Sequence, residues 1–439
     1  MSIAQVLGLG KSGISSARLL QQKGYQVQVF DQKSSADLLS KQAVLEKENI
    51  QVYLGSFPDF AHASLPELLI VSPGISWTHP TLEMARNLGI KVMGEVELAW
   101  QYLNHLPWVG ITGTNGKTTT TALVAHLWQG AGYRAVACGN IGVPISEIAL
   151  NPDGVDWIIA ELSSYQIEAS PSVSPQIGIW TTFTPDHLDR HGTIEAYSNI
   201  KHSLLKRSQW AIFNGDDPYL ASLGLTGDRI IYTRVREQIR DNAIYFQQKQ
   251  LCSIGGWQLL GEHNLQNLLM AVMAHHLAGI PTENLTQSIA TFKGISHRLE
   301  VVGKIGNLTI INDSKATNYD ASIVALRSIE QPVLLIAGGQ AKAGDPSQWL
   351  DMIQAKVKRV FLIGSAVELF QKFLMDRGYV EIEISHTLEQ AIASAIQFSQ
   401  TLAEPVTLLF SPACASFDQF HNFEQRGDRF REICQQYRL

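Results

Sequence analysis

The residues with the clearest chemical consequence form one run, Thr112-Gly113-Thr114-Asn115-Gly116-Lys117-Thr118-Thr119. Its glycines let the backbone turn N–H groups toward phosphate oxygens, its lysine reaches the β and γ phosphates, and the Thr118 hydroxyl can hold Mg²⁺. The run departs from the strict phosphate-loop pattern, because Ile111 takes the first glycine position and Gly113 follows two residues later. Residues Gly113, Thr114, Asn115, Gly116, Lys117, Thr118 and Thr119 are expected to bind a nucleoside triphosphate. Glu161 closes the apolar run Trp157-Ile158-Ile159-Ala160, which is where a second magnesium ligand belongs. The plainer alternative is an N-cap or salt-bridged acid. Asp186-His187-Leu188-Asp189-Arg190-His191-Gly192 gathers two acids and two histidines. A hard-cation or positioning role ranks above a transition-metal site there, with His187 the functional histidine and His191 the structural one. Tyr197 and Lys201, four apart, share a helix face, and residue type alone leaves Lys201 a solvated lysine.

Two further groups lie toward the chain ends. Gly8-Leu9-Gly10-Lys11-Ser12-Gly13 follows an apolar strand and opens a helix, and Asp31 closes the next strand. That pattern brings backbone N–H groups to a diphosphate and an acid to a ribose or base. A tight turn without a ligand is the alternative. Asn312-Asp313-Ser314-Lys315-Ala316-Thr317-Asn318, Gly338-Gly339-Gln340-Ala341-Lys342 and Ser411-Pro412-Ala413-Cys414-Ala415-Ser416 each follow an apolar run. Three polar turns with two lysines at one sheet rim suit an anionic ligand, although any one alone reads as a turn.

The elements that must position these residues are strands alternating with helices. Strands are expected at Ile3–Leu7, Gln26–Phe30 and Leu68–Val71, then at Trp108–Ile111, Trp157–Ala160, Ile177–Thr182 and Trp210–Phe213. A third series runs Leu308–Ile311, Val333–Ala337, Val360–Ile363 and Val406–Phe410. Helices are expected at Thr119–Gln129, Asn264–Leu277 and Ala321–Ile329. Continuous apolar strands of this kind indicate parallel sheets covered on both faces, hence an α/β fold of three units in series. The first and third are expected to be Rossmann-like and the central one a phosphate-loop domain. Boundaries near Met93–Glu97 and Ser296–Val301 give domains 1–94, 95–298 and 299–439. The stretch Thr226–Gly256 is hard to place, with short strands at Arg229–Tyr232 and Ala243–Phe246. Lys293, Lys304, Lys356 and Lys358 read as solvated.

The 439 residues are ample for several cores, and roughly 150 per domain agrees with three. Acidic residues outnumber basic ones, 40 to 34, which disfavours a general nucleic-acid binder. No apolar run approaches the ~18 residues of a membrane span, so no membrane insertion is expected. Met1-Ser2-Ile3-Ala4-Gln5 shows no basic leader, and the four cysteines form no CxxC pair. A cytoplasmic setting with free thiols follows as the expectation. Nothing demands an oligomer, so a monomer is expected.

Taken in order and spacing, the GxGxxG run, the TGTNGKTT loop, Glu161-Leu162-Ser163-Ser164-Tyr165-Gln166-Ile167-Glu168, the DHLDRHG loop, Gly261-Glu262-His263-Asn264-Leu265-Gln266-Asn267 and His297-Arg298-Leu299-Glu300 resemble the Mur ligase family. The resemblance runs from Val6 to about Phe430. Ser72-Pro73-Gly74-Ile75, the Asn312–Asn318 turn, Ser411–Phe420 and Asn422-Phe423-Glu424-Gln425-Arg426-Gly427 are similar to the branch that adds D-glutamate to UDP-N-acetylmuramoyl-L-alanine. A sister branch adding L-alanine to UDP-N-acetylmuramate is the alternative; an oxidoreductase would rest on GxGxxG and Asp31 and leave the TGTNGKTT loop unexplained, and a non-enzymatic nucleotide switch is a third class. The resemblance implies an ATP-dependent ligase of peptidoglycan precursor synthesis that works through an acyl phosphate with two Mg²⁺ ions. It implies Lys117, His187 and Lys201 as catalytic, Thr118, Glu161, His187 and Lys201 on metal, and a CO₂-derived carbamate on Lys201. Asn264, Asn267, Arg298 and Asp313 would join the ATP site. Lys11, Ser12, Asp31, Gln32, Lys33, Ser72, Gly74 and Asn140 would hold the UDP-sugar. Lys315, Thr317, Lys342, Ser416 and Phe423 would receive D-glutamate.

Overall fold

A computed structural model describes residues 2–61, 65–342 and 344–437; the Asp189 side chain of the polar loop lies outside the described residues. The chain forms two compact units. One takes in the chain through Trp257 together with Leu265–Phe292, and the other takes Gln258–Asn264 and the chain from Lys293 onward.

The first unit contains two parallel sheets. Strands β1 (Ile3–Leu7), β2 (Gln26–Asp31), β3 (Gln51–Leu54), β4 (Leu68–Val71) and β5 (Lys91–Gly94) lie in the order β3-β2-β1-β4-β5. The chain therefore reverses its winding between β1 and β4, and a crevice opens beyond their carboxyl ends. Gly8, with φ 98°, makes the turn after β1, and its N–H donates to the Phe30 carbonyl at 2.7 Å. Gly13 packs so closely on this turn that a Cβ there would collide with the Gly8 carbonyl oxygen.

Strand β5 passes at Gly94 directly into a helix, Glu95–Leu103. Strands β6 (Trp108–Thr112), β7 (Ala135–Gly139), β8 (Trp157–Glu161), β9 (Ile177–Trp180), β10 (Trp210–Asn214) and β11 (Ile230–Thr233) then form the order β11-β10-β9-β6-β8-β7. Strands β6, β8 and β9 are buried along their whole length, as their unbroken apolar runs require. Both sheets share one hydrophobic core, from Val6 and Leu20 to Trp108, Trp180 and Phe213. A buried polar seam also crosses between them. The Ser146 amide donates to Glu95 at 2.6 Å, and the Ser146 and Ser15 hydroxyls lie 2.8 Å apart.

Residues 239–253, within the segment that the sequence leaves unplaced, make a small antiparallel sheet of β12 (Ile239–Arg240), β13 (Ala243–Phe246) and β14 (Lys249–Ser253). Only β13 carries a readable apolar pattern.

In the second unit β15 (Glu300–Ile305), β16 (Leu308–Asn312), β17 (Val333–Gly338), β18 (Val357–Ile363), β19 (Ile382–His386) and β20 (Val406–Phe410) lie in the order β15-β16-β20-β17-β18-β19. Val333, Leu335 and Ala337 pack into one core, while Leu334 and Ile336 pack into another. Helices thus cover both faces, and β17 reads as continuously apolar for that reason. The all-parallel expectation needs one correction: β15 runs antiparallel to β16 at the sheet edge. Lys356 also departs from its solvated reading. Its ammonium donates to the Leu326 and Ile329 carbonyls at 3.0 and 2.8 Å, closing the end of the helix Tyr319–Arg327. Cys138, Cys252, Cys414 and Cys434 are all buried.

The Gly13 contact yields a test. Gly13→Ala should lower stability by about 1–3 kcal/mol through overpacking against the turn, read as a drop in the urea unfolding midpoint. An unchanged midpoint would show that the turn moves aside freely.

Candidate active site

The phosphate loop joins β6 to the helix Lys117–Gly130. Gly113, at φ 149°, passes so near Thr181 that any Cβ would strike its hydroxyl. Gly116, at φ 81°, is the residue before the helix, and a Cβ there would lie 2.7 Å from the Asn267 amide oxygen. Both glycines are therefore required by close approach as well as by dihedral angle. The segment after β9 clamps the loop. Thr114 N–H donates to the Thr182 carbonyl at 2.9 Å, and Asn115 N–H donates to the Thr182 hydroxyl at 2.9 Å. The first helical turn carries no acid, which keeps its positive end available to an anion.

Two lysines converge on this loop. Lys117 Nζ donates to the Gly113 and Thr114 carbonyls, each at 2.9 Å. Lys201, on the helix Ile194–Arg207, is 1% exposed and donates to the same Gly113 carbonyl at 3.0 Å. Its ammonium also lies 4.7 Å from the ring centre of Tyr197, one turn earlier. Burial, and then the Lys117 charge, hold Lys201 well below the usual lysine range, with Asp186 and Glu161 opposing. The solvated reading of Lys201 is thereby overturned. Residue type could not reveal it, because burial here depends on which helix face meets the loop.

Glu161, at the end of β8, is 2% exposed. One carboxylate oxygen accepts from Asn140 Nδ2 at 3.0 Å, and Oε2 has no hydrogen-bond partner among the described residues. A buried carboxylate oxygen without a donor fits a cation. Among the described residues no three His, Cys, Asp or Glu side chains gather as a metal cluster. Asn140, expected at the sugar end, lies against Glu161. His187 is exposed, adopts φ 52° and lies 3.5 Å from Asp186. His191 instead pairs with the Ser164 hydroxyl at 2.9 Å and stacks on Tyr197. Asn267 accepts from the Thr120 hydroxyl at 3.2 Å beneath the loop, and Asn264 donates to the Leu260 carbonyl at 2.7 Å.

At the crevice of the first sheet, the Asp31 carboxylate accepts from Leu9 N–H at 2.8 Å and Lys33 N–H at 2.9 Å. The acid expected to meet a ligand thus also shapes the turn, with further lone pairs left over. Ser72 lies 3.5 Å from the Gly8 carbonyl across the crevice, and Gly74 has open space around it. Lys11, Gln32 and Lys33 are exposed and Ser12 is half-buried.

In the second unit Asp313 follows β16 and accepts from the Ser411 hydroxyl at 2.8 Å and Leu299 N–H at 3.2 Å. Burial pushes its carboxyl up to about 7, against those hydrogen bonds and the Arg298 charge. Lys342 donates to Thr317 at 3.4 Å, and Lys315 lies 5.1 Å from the ring centre of Phe423. Ser416 is buried. Arg426 had no role in the sequence reading, yet it is buried and ties two of the polar turns together. It donates to the Ser314 hydroxyl and carbonyl at 3.0 and 2.7 Å, and to the Cys414 and Ala415 carbonyls at 3.1 Å each. Its place in the Asn422–Gly427 motif was the available signal.

Comparison with known proteins matches residues 3–94 to the Mur ligase MurD-like N-terminal domain, 111–275 to the Mur ligase middle domain and 297–414 to the Mur ligase glutamate ligase domain. UDP-N-acetylmuramoylalanine--D-glutamate ligases from Trichormus variabilis and Gloeothece citriformis are each 49% identical to this chain. The alignments cover 99% of this chain and 99% and 100% of those proteins. Among solved structures, the UDP-N-acetylmuramate-alanine ligase MurC of Thermotoga maritima is similar with TM-score 0.56 and 17% identity, covering 99% of this chain and 100% of that one. MurF of Acinetobacter baumannii gives 0.57 and 15%, covering 86% and 93%. These two share the fold.

Asp313 generates a pH prediction. Between the ordinary 3.8 and about 7, the folded chain holds a proton that the unfolded chain has released. Stability should therefore fall as pH rises through that window. Asp313→Asn should remove this fall, read as a flatter urea midpoint against pH than in the parent chain. Parallel curves would contradict it.

Proposed function

The chain belongs to the Mur ligase family, and we propose that it is an ATP-dependent ligase joining the D-glutamate amine to the terminal carboxylate of UDP-N-acetylmuramoyl-L-alanine. The observation that carries the chemistry is the convergence of Lys117 and buried Lys201 on one phosphate-loop carbonyl. The choice of amino acid is supported by the 49% identical D-glutamate ligases. The reading divides the chain into residues 1–94 for the UDP-sugar, 95–298 for ATP and 299–439 for the amino acid. It describes a cytoplasmic monomer; no helix among the described residues is long and apolar enough to cross a membrane.

An ionised carboxylate resists attack by an amine, because its charge repels the nucleophile and oxide is a poor leaving group. Transfer of the ATP γ-phosphoryl group gives an acyl phosphate, whose phosphate leaves readily. The deprotonated amine of D-glutamate then adds to the carbonyl carbon, and collapse of the tetrahedral adduct yields amide and phosphate. Loop N–H groups from Gly113 to Thr119 and the Lys117 ammonium hold the β and γ oxygens in line. Thr118, Glu161, His187 and a carbamate on Lys201 would hold two Mg²⁺ ions, which neutralise charge on the transferred phosphoryl group. The depressed lysine supports the carbamate, since a neutral amine can bond the carbon of CO₂ and release a proton. Asn264, Asn267, Arg298 and Asp313 are assigned to ATP. Lys11, Ser12, Asp31, Gln32, Lys33, Ser72, Gly74 and Asn140 are assigned to the UDP-sugar. Lys315, Thr317, Lys342, Ser416 and Phe423 are assigned to D-glutamate, whose two carboxylates suit the lysines.

The test is ADP release across a panel pairing D-glutamate, L-glutamate and L-alanine with UDP-N-acetylmuramate and its L-alanyl derivative. Turnover should require D-glutamate and the alanyl acceptor together; L-alanine acting on the shorter sugar would overturn the assignment. Lys201→Ala should lose roughly a hundredfold or more in kcat and recover partly with short carboxylic acids that replace the missing anion. Full activity of that variant under bicarbonate depletion would refute the carbamate.

A further inference from the structure

The loop carrying His187 is also gripped from the side facing the first sheet. Arg190 lies on the helical turn Leu188–His191, and its N–H donates to the His187 carbonyl at 3.1 Å. Its guanidinium is used in three directions. The plane covers the Tyr165 ring at 3.9 Å, Nη1 donates to the Pro73 carbonyl at 3.2 Å, and Nη2 lies 3.7 Å from Glu168 Oε2. Pro73 belongs to the turn after β4, between Ser72 and Gly74. Tyr165 and Glu168 belong to the short helix Ser164–Glu168 that follows β8 and Glu161.

From these contacts we propose that Arg190 is a positioning residue, registering the acceptor-sugar turn at Ser72–Gly74 against the His187 loop. The assignment rests on the ligase reading above. The packing continues inward without a break. Tyr165 meets the rings of His187 and His191 at 5.1 and 5.3 Å, and His191 stacks on Tyr197 at 5.3 Å. The Tyr197 hydroxyl lies 3.4 Å from that of Thr114 in the phosphate loop. His187 needs such support, because a side chain at φ 52° in an exposed loop holds its place only when its surroundings impose it. Lysine would replace it only in part. A point charge can meet the carbonyl or the acid, but it lacks the planar face for Tyr165 and the second donor.

The test compares Arg190→Ala, Arg190→Lys, Tyr165→Leu and the Ala/Leu double variant in the full-length enzyme. Arg190→Ala should raise the acceptor KM and lower kcat, each by about ten- to a hundredfold, while a non-hydrolysable ATP analogue binds within about twofold of wild type. Arg190→Lys should lie between the two, and the double variant should lose less than the product of the single losses, because one stacked contact is removed twice. If Arg190→Ala does not fold, Arg190→Lys carries the comparison, with the same split between acceptor and ATP. Acceptor and ATP affinities falling together with the thermal midpoint would overturn the proposal, as would acceptor kinetics unchanged in both Arg190 variants. Wild-type turnover separates the two readings. A wild type inactive with the alanyl acceptor and D-glutamate sinks both, whereas an active wild type with indifferent Arg190 variants sinks only this one.

Discussion

One backbone oxygen, the Gly113 carbonyl, accepts hydrogen bonds from both Lys117 and Lys201. Two ammonium groups that share an acceptor repel each other, and the repulsion is least screened around the buried one, so one yields its proton more readily. Lys201 is that one, because it is the more deeply buried of the pair. The surrounding geometry serves this arrangement. Gly113 must lack a side chain for the loop to pass against the Thr181 hydroxyl, and the Tyr197 ring lies over the Lys201 amine. The pair therefore enters the site with different chemical characters, one a cation suited to phosphate oxygens and one an amine open to modification.

The three main sheets place their chemistry by the same rule. Parallel strands buried on both faces leave only their carboxyl ends free to carry polar groups. Gly8 and Ser72 stand at such ends in the first sheet, Gly113 and Glu161 in the second, and Asp313 and Ser411 in the third. Stability and function then fall on neighbouring residues. Asp31 shapes its turn through two backbone N–H groups, and Arg426 organises two turns through carbonyl and hydroxyl oxygens alone.

What the sequence made legible was whatever depends on near neighbours. The phosphate loop, the glycine-rich turn and the strands read from apolar runs follow from spacing, and those strands differ from the structure by at most three residues, at the start of β18. Strand β15 escaped because Gly303 and Lys304 interrupt its apolar residues and it pairs only along one edge. Strands β12 and β14 escaped because they are short and mostly polar. Lys201, Lys356 and Arg426 escaped for a different reason. A long cationic side chain looks the same in sequence whether it meets water or a buried carbonyl, and only the tertiary fold decides. The family resemblance supplied a role for Lys201, while the structure supplied the physical environment that makes the role chemically reasonable.

The four buried cysteines have an analytical consequence. Burial pushes the Cys252 and Cys414 thiols up to about 12, so little thiolate forms at neutral pH, and Cys138 is shifted further in the same direction. Alkylating reagents can therefore reach these sulfurs chiefly when the surrounding structure opens. Cys138 reports on the central parallel sheet, Cys252 on the small antiparallel one, and Cys414 and Cys434 on the second unit. The chain thus carries its own set of region-specific labels, distributed so that the order of their modification would trace which part of the molecule loosens first.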